Sequence, residues 1–436
     1  MPKVSMNCDR VLITGCGGML GNAAYPSFKS KYTHVLATDK DITEDWLERL
    51  DVRDDARLVR VFWEYSPDIV LHLAAETDLE YCETHEEIAE DTNSRATETI
   101  ARLCRQYDST LVYISTAGVF DGKKDGLYTE EDQPLPIMVY GRTKYAGERL
   151  VKEHCPKSYV IRAGWMMGGG RNKEKKFIYK ILKQIEAGQK NIYAVDDLWG
   201  TPTYTHDFTM NLLALLNTEC YGIYHMVCEG SGTRYDVAKE ILTICRRSEI
   251  NLTPVTSDFF REKYFVRRPR SEMMTNANLR KIGCHHMRMW KIALREYIEH
   301  SFVDFIAQPA RTLIADSNAL RAQLPERRLQ ARKLVSLPIK FSLDGKKLSF
   351  IYSGSLIDAN VEGFGLLSEQ LLNEGSIITI QSTKGEKHIP SAEVRWVVPI
   401  EQKYRVGLKY IDNRFQTAHF LPGHELAPAG GRVTTR

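Results

Sequence analysis

The sequence has no CxxC pair and no cluster of cysteine with histidine at metal-ligand spacing; its nine cysteines are scattered, and His285–His286 stands alone. That pattern argues against a zinc module or a disulfide framework and leads to the expectation of reduced thiols in a cytoplasmic chain without metal. No run approaches the ~18 apolar residues of a membrane span. The opening MPKVSMNCDR holds no apolar signal core, so no export signal is expected. Net charge is scarce too: 59 Lys+Arg against 56 Asp+Glu leave +3. This is too little for wholesale nucleic-acid binding, so any basic patch is local. What remains is a chain of 436 residues, 43% hydrophobic and 26% charged, ordinary for a globular protein of about two to three domains.

The first 160 residues alternate short Val/Ile/Leu runs with amphipathic stretches. RVLITG (10–15), HVLATD (34–39), DIVLHLAA (68–75), TLVYIST (110–116) and SYVIRAG (158–164) have strand length. EEIAEDTNSRATETIARLCRQY (86–107) and YGRTKYAGERLVKEH (140–154) have helical periodicity. Such alternation predicts an α/β fold, a doubly wound parallel sheet covered on both faces. From about 165 to 305 the spacing loosens into a smaller lobe, with a helix expected over 233–248. Residues 306–326 carry Pro309 and Pro325 and read as a linker. Beyond 327, short strands such as VSLPIKFSL, SIITIQST and YRVGLKYI follow one another with hardly any helix, which predicts a small antiparallel β-barrel to about 420 and a tail over 421–436.

The first run ends in Thr14-Gly15, and further glycines follow at Gly18 and Gly21 before a helical stretch. In a dinucleotide-binding turn, Gly15 would make the turn, Gly18 would admit a pyrophosphate, and Gly21 would let the helix pack on the sheet. A glycine-rich turn without ligand is the alternative. Asp39 closes the next strand, where a carboxylate can accept from a ribose 2′-hydroxyl and repel a 2′-phosphate. That favours NAD(H) slightly over NADP(H), with Lys40 beside it as an offset. Asp51 is placed near the adenine.

Tyr140 and Lys144 stand four residues apart, on one helix face. An ammonium beside a phenol is expected to lower its pKa and ease proton transfer. Ser115 or Thr116, at the end of the preceding strand, offers a hydroxyl for a substrate carbonyl. These features occur with HLAAETD (72–78), Asn93, ISTAGVFDG (114–122), IRAGWMMGGG (161–170) and RRPRSEMMTNANL (267–279). Over residues 8–300 the ensemble resembles the extended short-chain dehydrogenase/reductases, most of all the dTDP-4-dehydrorhamnose reductase branch. The resemblance implies a Rossmann-type fold over 1–305 and a catalytic trio Thr116, Tyr140 and Lys144 acting on a nucleotide sugar. It implies cofactor contacts at Gly15, Gly18, Met19, Leu20, Gly21, Asp39, Asp51, Val52, Ala74, Ala75, Tyr140 and Lys144. Ser115, Arg162, Trp165 and Arg268 would serve the substrate. Helices 86–107 and 140–154, which often pair in dimers of this family, leave a homodimer open. Ala117 and Gly118 stand where the family has polar residues that would face the sugar. An epimerase, or a non-catalytic dinucleotide-bound effector, therefore stays open as an alternative. A dehydratase would need an acidic pair beside Thr116, and STAGVF supplies none.

PERRLQARKLVSLPIKF (325–341) gathers Arg327, Arg328, Arg332 and Lys333 against Glu326 alone, and SLIDANVEGFGLLS (355–368) follows. Paired guanidiniums can bond guanine edges, stack on purines and neutralise phosphate. The pattern resembles the PilZ domain, a cyclic di-GMP receptor with RxxxR and [D/N]xSxxG motifs. Arg328 and Arg332 match the first motif; Asp358, Asn360 and Gly363 match the second, with Asn360 in place of serine. The resemblance implies cyclic di-GMP as a regulatory ligand; because the basic leader lacks interleaved aromatics and the net charge is small, no nucleic acid is expected as partner.

Overall fold

Seven strands build the first sheet: β1 (Arg10–Thr14), β2 (His34–Asp39), β3 (Glu48–Arg49), β4 (Ile69–His72), β5 (Thr110–Thr116), β6 (Ser158–Ala163) and β7 (Gly222–Met226). They lie in the order β7-β6-β5-β4-β1-β2-β3, and every pairing is parallel. The structure is a computed structural model and describes residues 10–306, then 333–343, 352–359, 363–368, 372, 376–382, 389–400 and 403–410. The five apolar runs of the sequence all become strands. The two-residue β3 extends the edge, and β7 is the run GIYHM.

Strands with both faces covered must be apolar throughout, and Val11, Leu12 and Ile13 are fully buried, as are all four residues of β4. The helices include α1 (Met19–Lys31), α2 (Ala96–Gln106), α3 (Val139–His154) and α4 (Arg234–Ile244). The single helix expected over 86–107 is interrupted at Asp91–Arg95 by one wide π turn. Such a turn shifts the helical register locally and is common at functional sites. Here it holds Asn93, which is fully buried.

The strand order reverses at β1, so the carboxyl ends of β1 and β4 flank a crevice. Gly15 lies at the end of β1 with φ +67°, and a side chain there would collide with the Ala74 backbone. Only glycine adopts that conformation freely and lets the two loops meet. At Gly21 the reason is contact alone, since a Cβ would strike the Cys16 carbonyl as α1 packs on the loop.

The chain divides into two compact units, Met1–Thr312 and Leu313–Arg436. In the second, β8 (Lys333–Leu343), β9 (Tyr352–Ala359), β10 (Gly363–Ser368), β11 (Ile377–Ser382), β12 (Ile389–Ile400) and β13 (Lys403–Tyr410) pair antiparallel throughout. Leu366, Ile378, Ala392, Val394, Val406 and Leu408 are buried among them. The tail over 421–436, and the expected linker from 307 on, lie outside the described residues. Among the described residues no helix is long and apolar enough to cross a membrane, and no group of His, Cys, Asp and Glu is placed to hold a metal ion.

Candidate functional site

The carboxyl edge of the first sheet opens onto a cleft of about 2740 Å³. One wall is the turn after β1, with Gly15, Gly18, Met19, Leu20 and Gly21; Asp39, Asp51, Val52, Ala74 and Ala75 line the same end. No side chain caps the first turn of α1, so its free amides and dipole are available to an anion at Gly18. The Asp39 carboxylate is partly engaged: it accepts the Gly17 amide at 2.9 Å and the Asp41 amide at 3.1 Å. Asp51 is held at 2.6 Å by Arg53, whose guanidinium lowers its pKa.

Farther along the cleft, β5 ends at Thr116 and α3 brings Tyr140 and Lys144 beside it. Asn93 ties the neighbouring segments together. Its Oδ1 accepts the Glu76 amide at 2.9 Å, and its Nδ2 donates to the Glu76 carbonyl and to Thr143 Oγ1, each at 3.1 Å. The π turn thus couples the loop after β4 to α3. Thr116 Oγ1 accepts the Gly118 amide at 3.1 Å, and its hydroxyl lies close enough to the Tyr140 phenol to lower the phenol's pKa.

The electrostatics differ from the expectation of a phenol acidified by its lysine. Burial raises the Tyr140 pKa, and the Thr116 hydroxyl offsets this only in part. Burial likewise outweighs the attraction of Glu148 and pulls Lys144 down to about 7. The Lys144 side chain is 2% exposed, with Nζ 4.1 Å from the centroid of the Tyr113 ring. Desolvation disfavours the charged form of both groups, and in this state it dominates.

Ser115 lines the cleft as expected of a substrate residue, but the readings of Arg162 and of Ala117 need correction. Ser115 and Arg162 are register partners on β5 and β6 and so share a face of the sheet. That face carries Glu148 of α3. Arg162 donates to it through Nε at 2.9 Å and Nη2 at 2.7 Å, and Ser115 Oγ donates at 2.5 Å. With side chains 2% and 3% exposed, Arg162 and Glu148 form a buried ion pair beneath the cleft. The Arg162 guanidinium is anchored there through Nε and Nη2, with Nη1 buried and without a hydrogen-bond partner, and the residue does not line the cleft. Ala117 also turns away, into an apolar cluster with Val119, Phe120, Tyr128, Val227 and Met274. A polar residue at 117 would therefore not have faced a sugar.

Trp165 and Arg268 do line the cleft. Arg268 donates to Glu80 at 2.9 Å, across 188 residues of sequence. Trp165 Nε1 donates to Glu272 at 2.7 Å, while its ring carries the Arg234 guanidinium 3.7 Å from the centroid. The sequence pattern pointed to neither Arg234 nor Glu272. Thr233 and Asp236 do form a capping box that marks the start of α4, but nothing in sequence says that Arg234, the first of the two residues between them, stacks on an indole 69 positions away. Of the expected second-messenger residues, Asp358 is a backbone register partner of Leu334 and Gly365, and Gly363 of Lys409. Arg328, Arg332 and Asn360 lie outside the described residues.

Residues 9–302 match the RmlD substrate binding domain, and residues 326–420 match the PilZ domain. A dTDP-4-dehydrorhamnose reductase of Mycobacterium tuberculosis is 30% identical over 293 residues, covering 66% of this chain and 91% of that protein. A dTDP-4-keto-6-deoxy-D-glucose reductase of Streptomyces niveus is 32% identical, covering 66% of this chain and 96% of that protein. The crystal structure of a dTDP-4-dehydrorhamnose reductase from Bacillus anthracis in complex with NADP is 29% identical and superposes with a TM-score of 0.61, covering 67% and 99%.

Proposed function

We infer that this chain, which belongs to the RmlD substrate binding domain family and carries a C-terminal PilZ domain, is an NAD(P)-dependent oxidoreductase acting on a nucleotide sugar. The single observation that carries the reading is one cleft with the Gly15–Gly21 turn along one wall and Thr116, Tyr140 and Lys144 together farther in. The turn fits a dinucleotide pyrophosphate: Gly18 has no side chain in the way, and the α1 amides have no capping group. When bound, the nicotinamide supplies the hydride. Thr116 and Tyr140 hold the C4 carbonyl oxygen of the sugar by hydrogen bonds, and the Tyr140 phenol passes its proton to the developing alkoxide. A phenol whose pKa is raised suits that task, because an alkoxide is a stronger base still. Arg268 and Arg234, with Trp165 between the sugar and solvent, receive the substrate's phosphates in place of Arg162. Asp39 gives the site its slight preference for NAD(H). The test is a panel of dTDP- and UDP-linked 4-keto sugars with NADH and with NADPH. Oxidation of the reduced cofactor by a member of the panel is the expected result, and failure to bind either dinucleotide defeats the reading.

Lys144 gives this assignment a proton signature. Its amine titrates near 7, and the negative charge of a dinucleotide favours the ammonium. Binding at pH 8 is therefore expected to take up part of a proton, and affinity falls as pH rises above 7. Calorimetry in two buffers of different ionisation enthalpy reads the uptake directly, and Lys144→Met abolishes it.

The C-terminal unit is proposed as a six-stranded antiparallel barrel over 327–420 that binds cyclic di-GMP through Arg328, Arg332, Asp358, Asn360 and Gly363 and thereby changes turnover. The antiparallel pairings of β8 to β13 support the barrel, and the family match supports the ligand. Titration with cyclic di-GMP is expected to alter kcat or KM of the reductase, with Arg328→Ala removing both binding and effect. No binding at high micromolar ligand, with Asn360→Ser still silent, refutes it.

A further inference from the structure

The segment Ser271–Glu272 pairs in parallel with Trp199–Gly200, and this brings in a carboxyl group that the local sequence around Thr116 does not supply. Its Oε2 is fixed by the Trp165 indole at 2.7 Å. The indole is fixed in turn, since Gly200 packs so closely on it that any side chain there would collide with the ring, while Arg234 stacks at 3.7 Å. The other oxygen, Oε1, points to the space left by Gly118. A Cβ built on Gly118 would stand 3.6 Å from Glu272 Oε1, 3.4 Å from Thr116 Oγ1 and 3.3 Å from the mobile end of Met138, Cε. The carboxyl oxygen and the hydroxyl are therefore no more than about 7 Å apart, and Thr116, Met138 and Glu272 all line the cleft. A ketone held by one hydrogen bond of about 2.8 Å to Thr116 presents its neighbouring C–H group within that span.

Resting on the reductase reading above, we propose that Glu272 is a general base for the hydrogen on the sugar carbon adjacent to the ketone, so that the same site exchanges that hydrogen with solvent as well as reducing the carbonyl. The C–H bond breaks and its proton passes to the Glu272 carboxylate. The electron pair forms a C=C bond to the former carbonyl carbon, whose π pair moves onto the oxygen. Thr116 and Tyr140 stabilise that oxyanion by hydrogen bonds. Return of a proton from Glu272, after exchange with water, restores the ketone. No electron leaves or enters, and no co-reactant is needed.

Two further observations agree. Burial raises the Glu272 pKa despite Arg234 and Arg268 nearby, which makes its carboxylate a stronger base at neutral pH. Glu272 also raises the Tyr140 pKa, so its charge is felt at the reacting oxygen.

The experiment incubates the full chain with dTDP-4-keto-6-deoxy-D-glucose and NADP⁺ in D₂O, where no hydride is available, and follows deuterium at the carbons flanking the ketone by NMR. Incorporation at one of those carbons is expected on the order of 100-fold faster than in the protein-free blank. Glu272→Gln should remove that acceleration, and Glu272→Asp should restore part of it. Ligand-induced thermal shifts of each variant verify that it is folded and binds the probe. Incorporation no faster than the blank, or equally fast in Glu272→Gln, overturns the inference. Reduction of the same probe by NADPH, run in parallel, separates the two claims: reduction without exchange defeats only this one, whereas neither binding nor reduction defeats the reductase reading beneath it.

Discussion

Tyr140→Phe is expected to lower turnover of the nucleotide-sugar substrate by about 10²–10⁴-fold, the usual worth of a positioned general acid, while dinucleotide affinity stays within about twofold. The phenol carries the acidic proton that the cleft places beside Thr116, and phenylalanine keeps the ring's packing against Cys82, Ala89 and Val139. Folding should be little disturbed, because only the hydroxyl is lost and the ring packing is kept. Single-turnover kinetics with preloaded NADPH measure the chemical step apart from binding. Equal rates for variant and parent would remove Tyr140 from the chemistry and leave the fold with a different proton source.

The second large effect is on stability. Arg162→Met leaves Glu148 buried, 3% exposed and charged, with Ser115 as its remaining donor beneath the cleft. Losing one partner of such a pair costs about 3–5 kcal/mol. Urea denaturation should therefore move to a clearly lower midpoint, and Arg162→Met combined with Glu148→Leu should recover much of the loss, because it removes the orphaned charge. KM for the nucleotide sugar should change little in the single variant. A KM raised tenfold or more, with stability intact, would return Arg162 to the substrate's phosphates and contradict its bonds to Glu148. Arg268→Met provides the contrast, since that side chain lines the cleft and is 30% exposed.

The sheet was legible because its strands are apolar on both faces, which leaves little ambiguity in runs such as Ile69–His72. The glycine turn and the Tyr140–Lys144 pair were legible because both are local: one needs a strand and a helix in sequence, the other a single helical turn. Arg162 was misread for the opposite reason. Its neighbours Ala163 and Trp165 do reach the cleft, but which face of β6 a residue takes depends on register with β5 and on what α3 carries opposite, and neither is a property of the segment itself. The π turn at Asp91–Arg95 was invisible to a periodicity of 3.6, since five residues of wider helix leave the apolar pattern almost unchanged. Glu272 shows the same limit in another form. The stretch STAGVF around Thr116 holds no acid, and a two-residue strand 155 positions later supplies one.

The bond from the Gly17 amide to Asp39 has a bearing on cofactor engineering. The carboxylate that would discriminate against a phosphorylated ribose is also a strut of the turn proposed to hold the pyrophosphate. Exchanging Asp39 for a neutral residue to welcome NADPH would slacken the very loop that must hold the dinucleotide, so gains in selectivity would be offset by weaker grip. Changes at Lys40 or Arg53, which line the same end of the cleft without bracing the turn, offer a route that keeps the scaffold taut.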